Sequence, residues 1–321
     1  MKIIFTICSN NYLAQAKILG DSVLEFNPEY KFVIGLCDEF SELIDYNDFQ
    51  KFEIIKVKDI DIARPDIFKR YDIVELNTSI KPSFFKYLIK KNKDLEVIMY
   101  LDPDIRLFNK LTQLESYLKT NDIVLTPHIL NPMEVDDLVP NENLFLVYGI
   151  YNLGFIAVNP SGNEISKFLN WWEKKTLNVG YNNTSRGFFV DQLWINHVPI
   201  FFNNVKVLKE QGYNVAPWNF HERNSIVKSG DKYIMDDKSE LVFIHFSSVN
   251  IKEPDKLSKG YDRLSTIEIS SGIRQLYENY FAELYKNKHS EYSKVVCVYN
   301  NVKKPSMRSR IKTVLQKFIR F

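Results

Sequence analysis

Apolar positions along the first half of the chain repeat at two alternating periods. The segment KIIFTI (2–7) is a short apolar run of the kind that forms a buried strand, and NYLAQAKILGDSVLEF (11–26) spaces its apolar residues as one face of a helix. KFVIGLC (31–37) and KFEIIKV (51–57) read as strands, and IKPSFFKYLIKK (80–91) as a helix with Pro82 in its first turn, where a missing N–H costs nothing. EVIMYL (96–101) predicts a strand, LTQLESYLKT (111–120) a helix and DIVLTP (122–127) a strand. Strands alternating with helices predict an α/β fold built on a single mixed, mostly parallel sheet flanked by helices. Beyond residue 143, LFLVYGIYNLGFIAVNP (144–160) suggests two strands around Tyr151-Asn152. The helical pattern returns in ISKFLNWWEKKTL (165–177), FFVDQLWINHV (188–198) and a long STIEISSGIRQLYENYFAELYKNK (265–288), with a strand predicted in ELVFIHFSS (240–248). No fixed-period repeat or low-complexity linker interrupts residues 1–292, which are expected to form one domain.

Composition narrows the class. The 321 residues are 45% hydrophobic and 26% charged, as in a globular protein with a sizeable core, and no apolar run is long enough to predict a transmembrane helix. The opening MKIIFTICSNNYL reads as a first strand and not as a signal peptide. Three cysteines, Cys8, Cys37 and Cys297, form no CxxC pair and no disulfide framework, so a reducing, cytoplasmic setting is expected. The net charge of +2 is unevenly placed. Seven basic residues and no acid lie between Lys303 and Phe321, and the rest of the chain carries 35 basic and 40 acidic residues. An acidic body argues against nucleic acid as a partner. The tail (293–321) puts Ile311, Leu315, Phe318 and Ile319 near one helical face among cations, the pattern of an amphipathic helix at a membrane surface, here through residues 303–321.

The sharpest chemical signal is MYLDPDIRLF (99–108). A hydrophobic strand ends in two aspartates flanking a proline, at the strand end where open α/β sheets bind ligands. Pro103 stiffens the turn and holds Asp102 and Asp104 close together. Two carboxylates at that range repel unless a proton or a divalent cation intervenes, although solvated aspartates closing a strand would give the same text. A phosphatase of the aspartyl type carries its Asp-x-Asp on the first strand with a hydroxyl or glycine following; here the pair is mid-chain and Ile105 follows.

TICSNNYLAQAKILGDSV, MYLDPDIRLF, YNLGFIAVNP, FFVDQLWIN and FIHFSS occur in this order, and together they resemble the GT-A fold glycosyltransferases, in particular glycosyltransferase family 8. The resemblance spans roughly residues 1–250. It implies transfer of a hexose, with retention, from a UDP-sugar donor; the acceptor's one hint is the basic tail, which suits a glycan or lipid-linked glycan such as a bacterial lipopolysaccharide or capsule precursor. It implies Asp102, Asp104 and His245 as metal ligands, with Mn²⁺ (or Mg²⁺) as the cofactor; an Asp/Asp/His donor set suits Mn²⁺. A lone histidine on an apolar strand also fits a packed core residue.

The same resemblance puts Thr6, Ile7, Ser9, Asn11 and Tyr12 beside the nucleotide, Tyr12 offering its ring to the base, although Asn10 or Asn11 could equally cap the following helix. Lys81 matches a basic residue, often Arg in the family, that holds a phosphate or a donor hydroxyl; a solvated lysine is the plain alternative. Asn152 and Gly154 match the family's N-x-G at the donor sugar. Asp191 and Gln192 match its D-Q pair, with Gln192 facing the anomeric carbon and Asp191 gripping hydroxyls, or with Asp191 as no more than a helix-start charge. The family's glycine and Lys-Pro after the metal histidine are absent. HFSSVNIKEP offers Lys252 as the nearest cation for the diphosphate. Trp218, His221 and Glu222 sit in an aromatic-rich stretch suited to an acceptor sugar, and Trp218 also suits a core. Two other classes stay open: a sugar- or nucleotide-binding module without catalysis, and a sugar-nucleotide nucleotidyltransferase, which would carry a glycine-rich loop after the first strand that TICSNNY lacks.

Overall fold

The computed structural model describes residues 1–301. The N-terminal half alternates as its periodicity requires. Strand β1 (Lys2–Cys8) is followed by helix α1 (Leu13–Phe26), strands β2 (Tyr30–Leu36) and β3 (Glu53–Lys56), helices α2 (Ile67–Arg70), α3 (Ile73–Ser79) and α4 (Lys81–Lys91), and strand β4 (Val97–Leu101). One turn later come β5 (Ile105–Leu107), α5 (Thr112–Leu118) and β6 (Ile123–Pro127). The second half is less regular: α6 (Glu142–Tyr148), β7 (Tyr151–Val158), α7 (Ile165–Val179), a small hairpin of β8 (Asn182–Asn183) and β9 (Phe188–Phe189), α8 (Val198–Phe201) and β10 (Val205–Val207). There follow α9 (Phe220–Arg223), the hairpin β11 (Ile226–Ser229) and β12 (Lys232–Met235), β13 (Phe243–His245), α10 (Ser271–Lys286) and α11 (His289–Tyr292).

Seven strands form one sheet in the order β10-β6-β7-β4-β1-β2-β3. β7 runs antiparallel to both β4 and β6, and the other neighbours are parallel. The sheet is therefore mixed and mostly parallel, as the sequence predicts. Alternate residues of each strand enter opposite cores. Ile4 and Met99 join α1 and α10 on one face, while Ile3, Phe5, Ile98 and Tyr100 join α3, α4 and α7 on the other. Because β7 runs backwards, its first residues lie beside the carboxyl ends of β4 and β6, and that edge carries the polar side chains described below.

Several segments differ from the periodicity. LFLVYG forms α6 rather than a strand: the Asn141 side chain accepts from Leu144 N–H (3.0 Å) and caps the helix, and Gly149 ends it at φ +118°. Leu146 and Val147 are left exposed, so the apolar run does not mark a buried strand. FFVDQLWINHV is no continuous helix. Val190 takes φ +39°, and the chain passes through β9 and a 3-10 turn at Leu193–His197 before α8. The long helix predicted from residue 265 starts at Ser271, where the Ser270 hydroxyl caps it, and Asp262–Thr266 forms a separate 3-10 turn. Past α11 the chain packs back on the body: Val298 N–H donates to Asp38 Oδ1 (2.9 Å), and the Asn301 amide donates to the carbonyls of Phe68 (2.7 Å) and Tyr71 (3.1 Å). The basic amphipathic pattern of 303–321 lies outside the described residues. Among the described residues no helix is long and apolar enough to cross a membrane.

Candidate functional site

The aspartate pair sits where the strand stops. Asp102 N–H donates to the Gly154 carbonyl (2.8 Å), the last rung between β4 and β7, and Ile105 N–H then closes a turn onto the Asp102 carbonyl (3.1 Å) with Pro103 at its second position. The turn delivers β5, which pairs antiparallel with β13 so that His245 lies opposite Ile105. Phe246 N–H donates to the Asp104 carbonyl (2.9 Å) and locks the register. His245 Nε2 consequently stands 3.1 Å from Asp104 Oδ1 and 3.7 Å from Asp102 Oδ2. One ligand atom from each of the three residues lies within 4.8 Å of the others. Burial pushes the His245 pKa down, but the facing carboxylates of Asp104 and Asp102 outweigh it and the net direction is up. Two carboxylates and an imidazole converging on one point fit a divalent cation such as Mn²⁺, and a cation there removes the repulsion between the carboxylates. Gly154 makes room for the histidine: a Cβ on it would stand 2.5 Å from His245 Cε1.

Lys81 is no solvated lysine. As the first residue of α4 it is buried beneath the aspartate turn, donates from Nζ to the Leu153 carbonyl (2.9 Å), and stands 3.0 Å from Asp191 Oδ2 and 3.7 Å from Asp102 Oδ1. The same ammonium lies 4.3 Å from the centroid of the Tyr100 ring, whose hydroxyl donates to Asp102 Oδ1 (2.5 Å). Asp191 arrives from the irregular loop after β9 and is equally buried. Burial outweighs the pull of Lys81 and raises its carboxyl to about 6. Gln192 is engaged at both ends of its amide: Oε1 accepts from Leu153 N–H (2.9 Å) and Nε2 donates to the Tyr148 carbonyl (2.9 Å).

These groups line one cleft of about 770 Å³ together with a second, aromatic wall. His128, the residue after β6, stacks on Phe145 with centroids 4.9 Å apart, and Trp218 meets His245 edge-on at 5.1 Å. Tyr148, Phe189 and Tyr261 complete that wall. Complete burial drives the His128 pKa down to about 3, so its ring is neutral.

Of the residues singled out in the sequence, the cleft gathers Tyr12, Lys81, Asp102, Asp104, Asn152, Gly154, Asp191, Gln192, Trp218 and His245. Thr6, Ile7, Ser9, Asn11 and Lys252 do not line it. Thr6 and Ile7 are buried within β1, Ser9 Oγ donates to Asn11 Oδ1 (2.5 Å), and Lys252 is exposed in the turn after Asn250. Neither Asn10 nor Asn11 caps α1. The Asn10 amide donates instead to the Glu39 carbonyl (2.7 Å). Glu222 accepts from the backbone N–H groups of Leu130 (2.9 Å) and Asn131 (2.9 Å), and His221 stays outside the cleft. Sequence reasoning missed His128, Tyr148, Phe189, Lys259 and Tyr261. His128 was findable as a polar residue closing the β6 run, whereas nothing in the local pattern marks Lys259.

No protein-family model matches the chain. YfnF of Bacillus subtilis (strain 168), an uncharacterized protein, is 23% identical over 276 residues, covering 81% of this chain and 86% of YfnF. The crystal structure of the galactosyltransferase LgtC in complex with donor and acceptor sugar analogues aligns at a TM-score of 0.48 and 17% identity, covering 83% of this chain and 94% of that one. The glycosyltransferase GlyE of Streptococcus pneumoniae TIGR4 aligns at a TM-score of 0.48 and 15% identity, covering 92% of this chain and 65% of GlyE. The chain is similar in structure to glycosyltransferases.

Proposed function

We propose that the protein is a metal-dependent glycosyltransferase of the GT-A fold that moves a hexose from a UDP-sugar to a glycan or lipid-linked glycan acceptor, with retention. The observation that carries the reading is the meeting of Asp102, Asp104 and His245 at the carboxyl end of β4, in a cleft with one charged and one aromatic wall. Asp102, Asp104 and His245 would hold the divalent cation, which when bound would neutralise charge on the leaving diphosphate. Tyr12, half-exposed at the cleft rim, takes the nucleotide base. Asp191, fixed by Lys81, grips donor hydroxyls, and Gln192, clamped between two backbone segments, presents the side of its amide to the reacting carbon. We assign the diphosphate cation to Lys259 in place of Lys252, because Lys259 lines the cleft. Trp218, Tyr148 and Tyr261 supply flat apolar faces for the acceptor sugar. Retention follows from front-face attack, with the leaving phosphate oxygen accepting the acceptor's proton.

The test is a thermal-shift series with UDP, GDP, CDP and dTDP, each with and without Mn²⁺. A ligand at 100 times its Kd adds about 2.7 kcal/mol, enough to raise Tm by several degrees. Stabilisation by UDP only with Mn²⁺ is expected, and no response to any nucleotide overturns the proposal in favour of a binding module of another kind. The acceptor's lipid link rests on the basic pattern of 303–321. Co-sedimentation with anionic vesicles is expected to fall well over tenfold when those residues are removed, because each nearby cation contributes about 1 kcal/mol and two suffice for about tenfold; equal sedimentation removes the lipid link.

A further inference from the structure

The Asn152 side chain is at the centre of a buried polar cluster behind His245. Gly154 N–H donates to Asn152 Oδ1 (3.2 Å), and so does Asn214 Nδ2 (3.2 Å). His245 Nδ1 lies 3.3 Å from the same oxygen. On the far side, Asn152 Nδ2 stands 3.2 Å from His128 Nε2. A backbone N–H can only donate, so the Gly154 contact fixes which end of the amide is the oxygen, independently of how the side chain is drawn. Two consequences follow from that one donor. His245 Nδ1 faces an acceptor and must carry a proton, so Nε2, which faces Asp104 and Asp102, is the nitrogen that can give up its proton to ligate a cation between them. His128 Nε2 faces an amide N–H and must accept it, which requires a neutral ring protonated at Nδ1. Burial, which holds the His128 pKa near 3, supplies that neutral ring.

We infer that Asn152 is a positioning residue for the metal site: it fixes the ring orientation and tautomer of His245 so that Nε2 ligates, while His128 holds the opposite end of its amide. The inference rests on the metal-site reading above. It gives Asn152 a different task from a contact to the donor sugar, since its oxygen already faces three protein groups and its nitrogen faces a fourth. It also brings His128 and Asn214, which the sequence did not single out, into the support of the site.

The experiment titrates the purified full chain with Mn²⁺ alone and with Mg²⁺ alone, following free Mn²⁺ by electron paramagnetic resonance. Loss of the group that orients a metal-binding histidine lowers metal affinity by about 10–100-fold, so Asn152→Leu is expected to weaken Mn²⁺ binding by that amount. Mg²⁺, which makes less use of a nitrogen ligand, is expected to weaken less, so the Mn²⁺-over-Mg²⁺ preference falls. A merely structural role would lower both together. Asn152→Asp keeps an acceptor facing Nδ1 and is expected to hold Mn²⁺ at least within about threefold of wild type. In Asn152→Leu/His245→Leu no loss beyond that of His245→Leu is expected, because one residue acts through the other. Should Asn152→Leu fail to fold, the cycle of His128→Leu with His245→Leu puts the same question. Unchanged Mn²⁺ affinity in Asn152→Leu, or losses that add in the cycle, overturns the inference alone. A wild-type chain that binds neither cation overturns it together with the metal-site reading.

Discussion

The two walls of the cleft are held by opposite means. The charged wall is built on strand and helix ends and balances itself: Lys81 lies between Asp191 and Asp102, and His245 stands against Asp104. The aromatic wall, carried by α6, β9 and the turns holding His128, Trp218 and Tyr261, is held by ring contacts around a neutral, buried His128. On one wall burial is tolerable because charges are paired, and on the other because charge is absent. Each wall therefore responds to a different perturbation, and a variant can disable one without touching the other.

The largest effect is expected on the charged wall. Under the proposed function, Asp104→Asn removes a carboxylate from the candidate metal site, and metal ions supply several kcal/mol to developing charge, so metal-dependent transfer is expected to fall on the order of 1,000-fold while urea unfolding stays near wild type. A comparable activity in the variant removes the division between the walls. Lys81→Met comes next. It leaves buried Asp191 without its counter-charge, so that above about pH 6 the carboxyl must either stay unpaired or take up a proton, a loss of at most about 3–5 kcal/mol, measurable as a lower urea midpoint. Lys81→Met/Asp191→Leu is expected to regain most of that loss and to stay inactive. A double variant as unstable as the single one would mean that the ion pair is not what balances this wall.

The pH dependence of stability sharpens the contrast, because the two walls respond with opposite sign. Asp191 is raised from 3.8 to about 6, so the folded state binds its proton more tightly than the unfolded chain does. Its contribution is full below 3.8 and is lost as pH rises through 6. His128 is lowered from 6.5 to about 3, so its contribution is full above 6.5 and is lost as pH falls toward 3. Within each window the slope is about 1.4 kcal/mol per pH unit. Unfolding curves at pH 4 to 7 are expected to show Asp191→Asn losing one slope and His128→Gln the other, and variants with the wild-type profile would contradict the assignment. The smallest effect is expected where the walls meet. Gly154→Ala forces a Cβ against His245, and overpacking of this kind costs about 1–3 kcal/mol. A drop in Tm with weakened Mn²⁺ affinity is the expected result, and an unaltered metal affinity would show that the histidine yields.

The legibility of the sequence follows the same physics. Most of residues 1–127 could be read, α2, α3 and β5 excepted, because their strands bury alternate residues in two cores and their longer helices bury one face, so local spacing carries the information. Apart from the strand expected at 240–248, which forms β13, residues 188–270 could not, since their conformation is set by distant partners. Val190 is held at a positive φ beside an Asp191 whose partner is Lys81, and the loop after β13 turns through Leu257 at φ +53° without any apolar period. Asp102-Pro103-Asp104 stood out because a strand ends there, and His245 because of the order of motifs. Lys259 reaches the cleft by way of that irregular loop, which is why Lys252, nearer in sequence to His245, was the natural but different expectation. His128 is a subtler case: its position after β6 was visible, but its partner across the amide of Asn152 was not.

The reversed direction of β7 and the late position of β13 bear on how the protein is made. His245 meets Asn152 across 93 residues of chain, and among the described residues β13 is the last strand to be synthesised. A nascent chain still attached to the ribosome before Phe243 holds both aspartates and the lysine beneath them, but not the imidazole or the strand that pairs with β5. The sheet can begin to assemble early from β1, β2 and β4, while the meeting of Asp102, Asp104 and His245 waits for the synthesis of β13. Truncated products of this chain would thus keep much of the scaffold and lack the finished cleft.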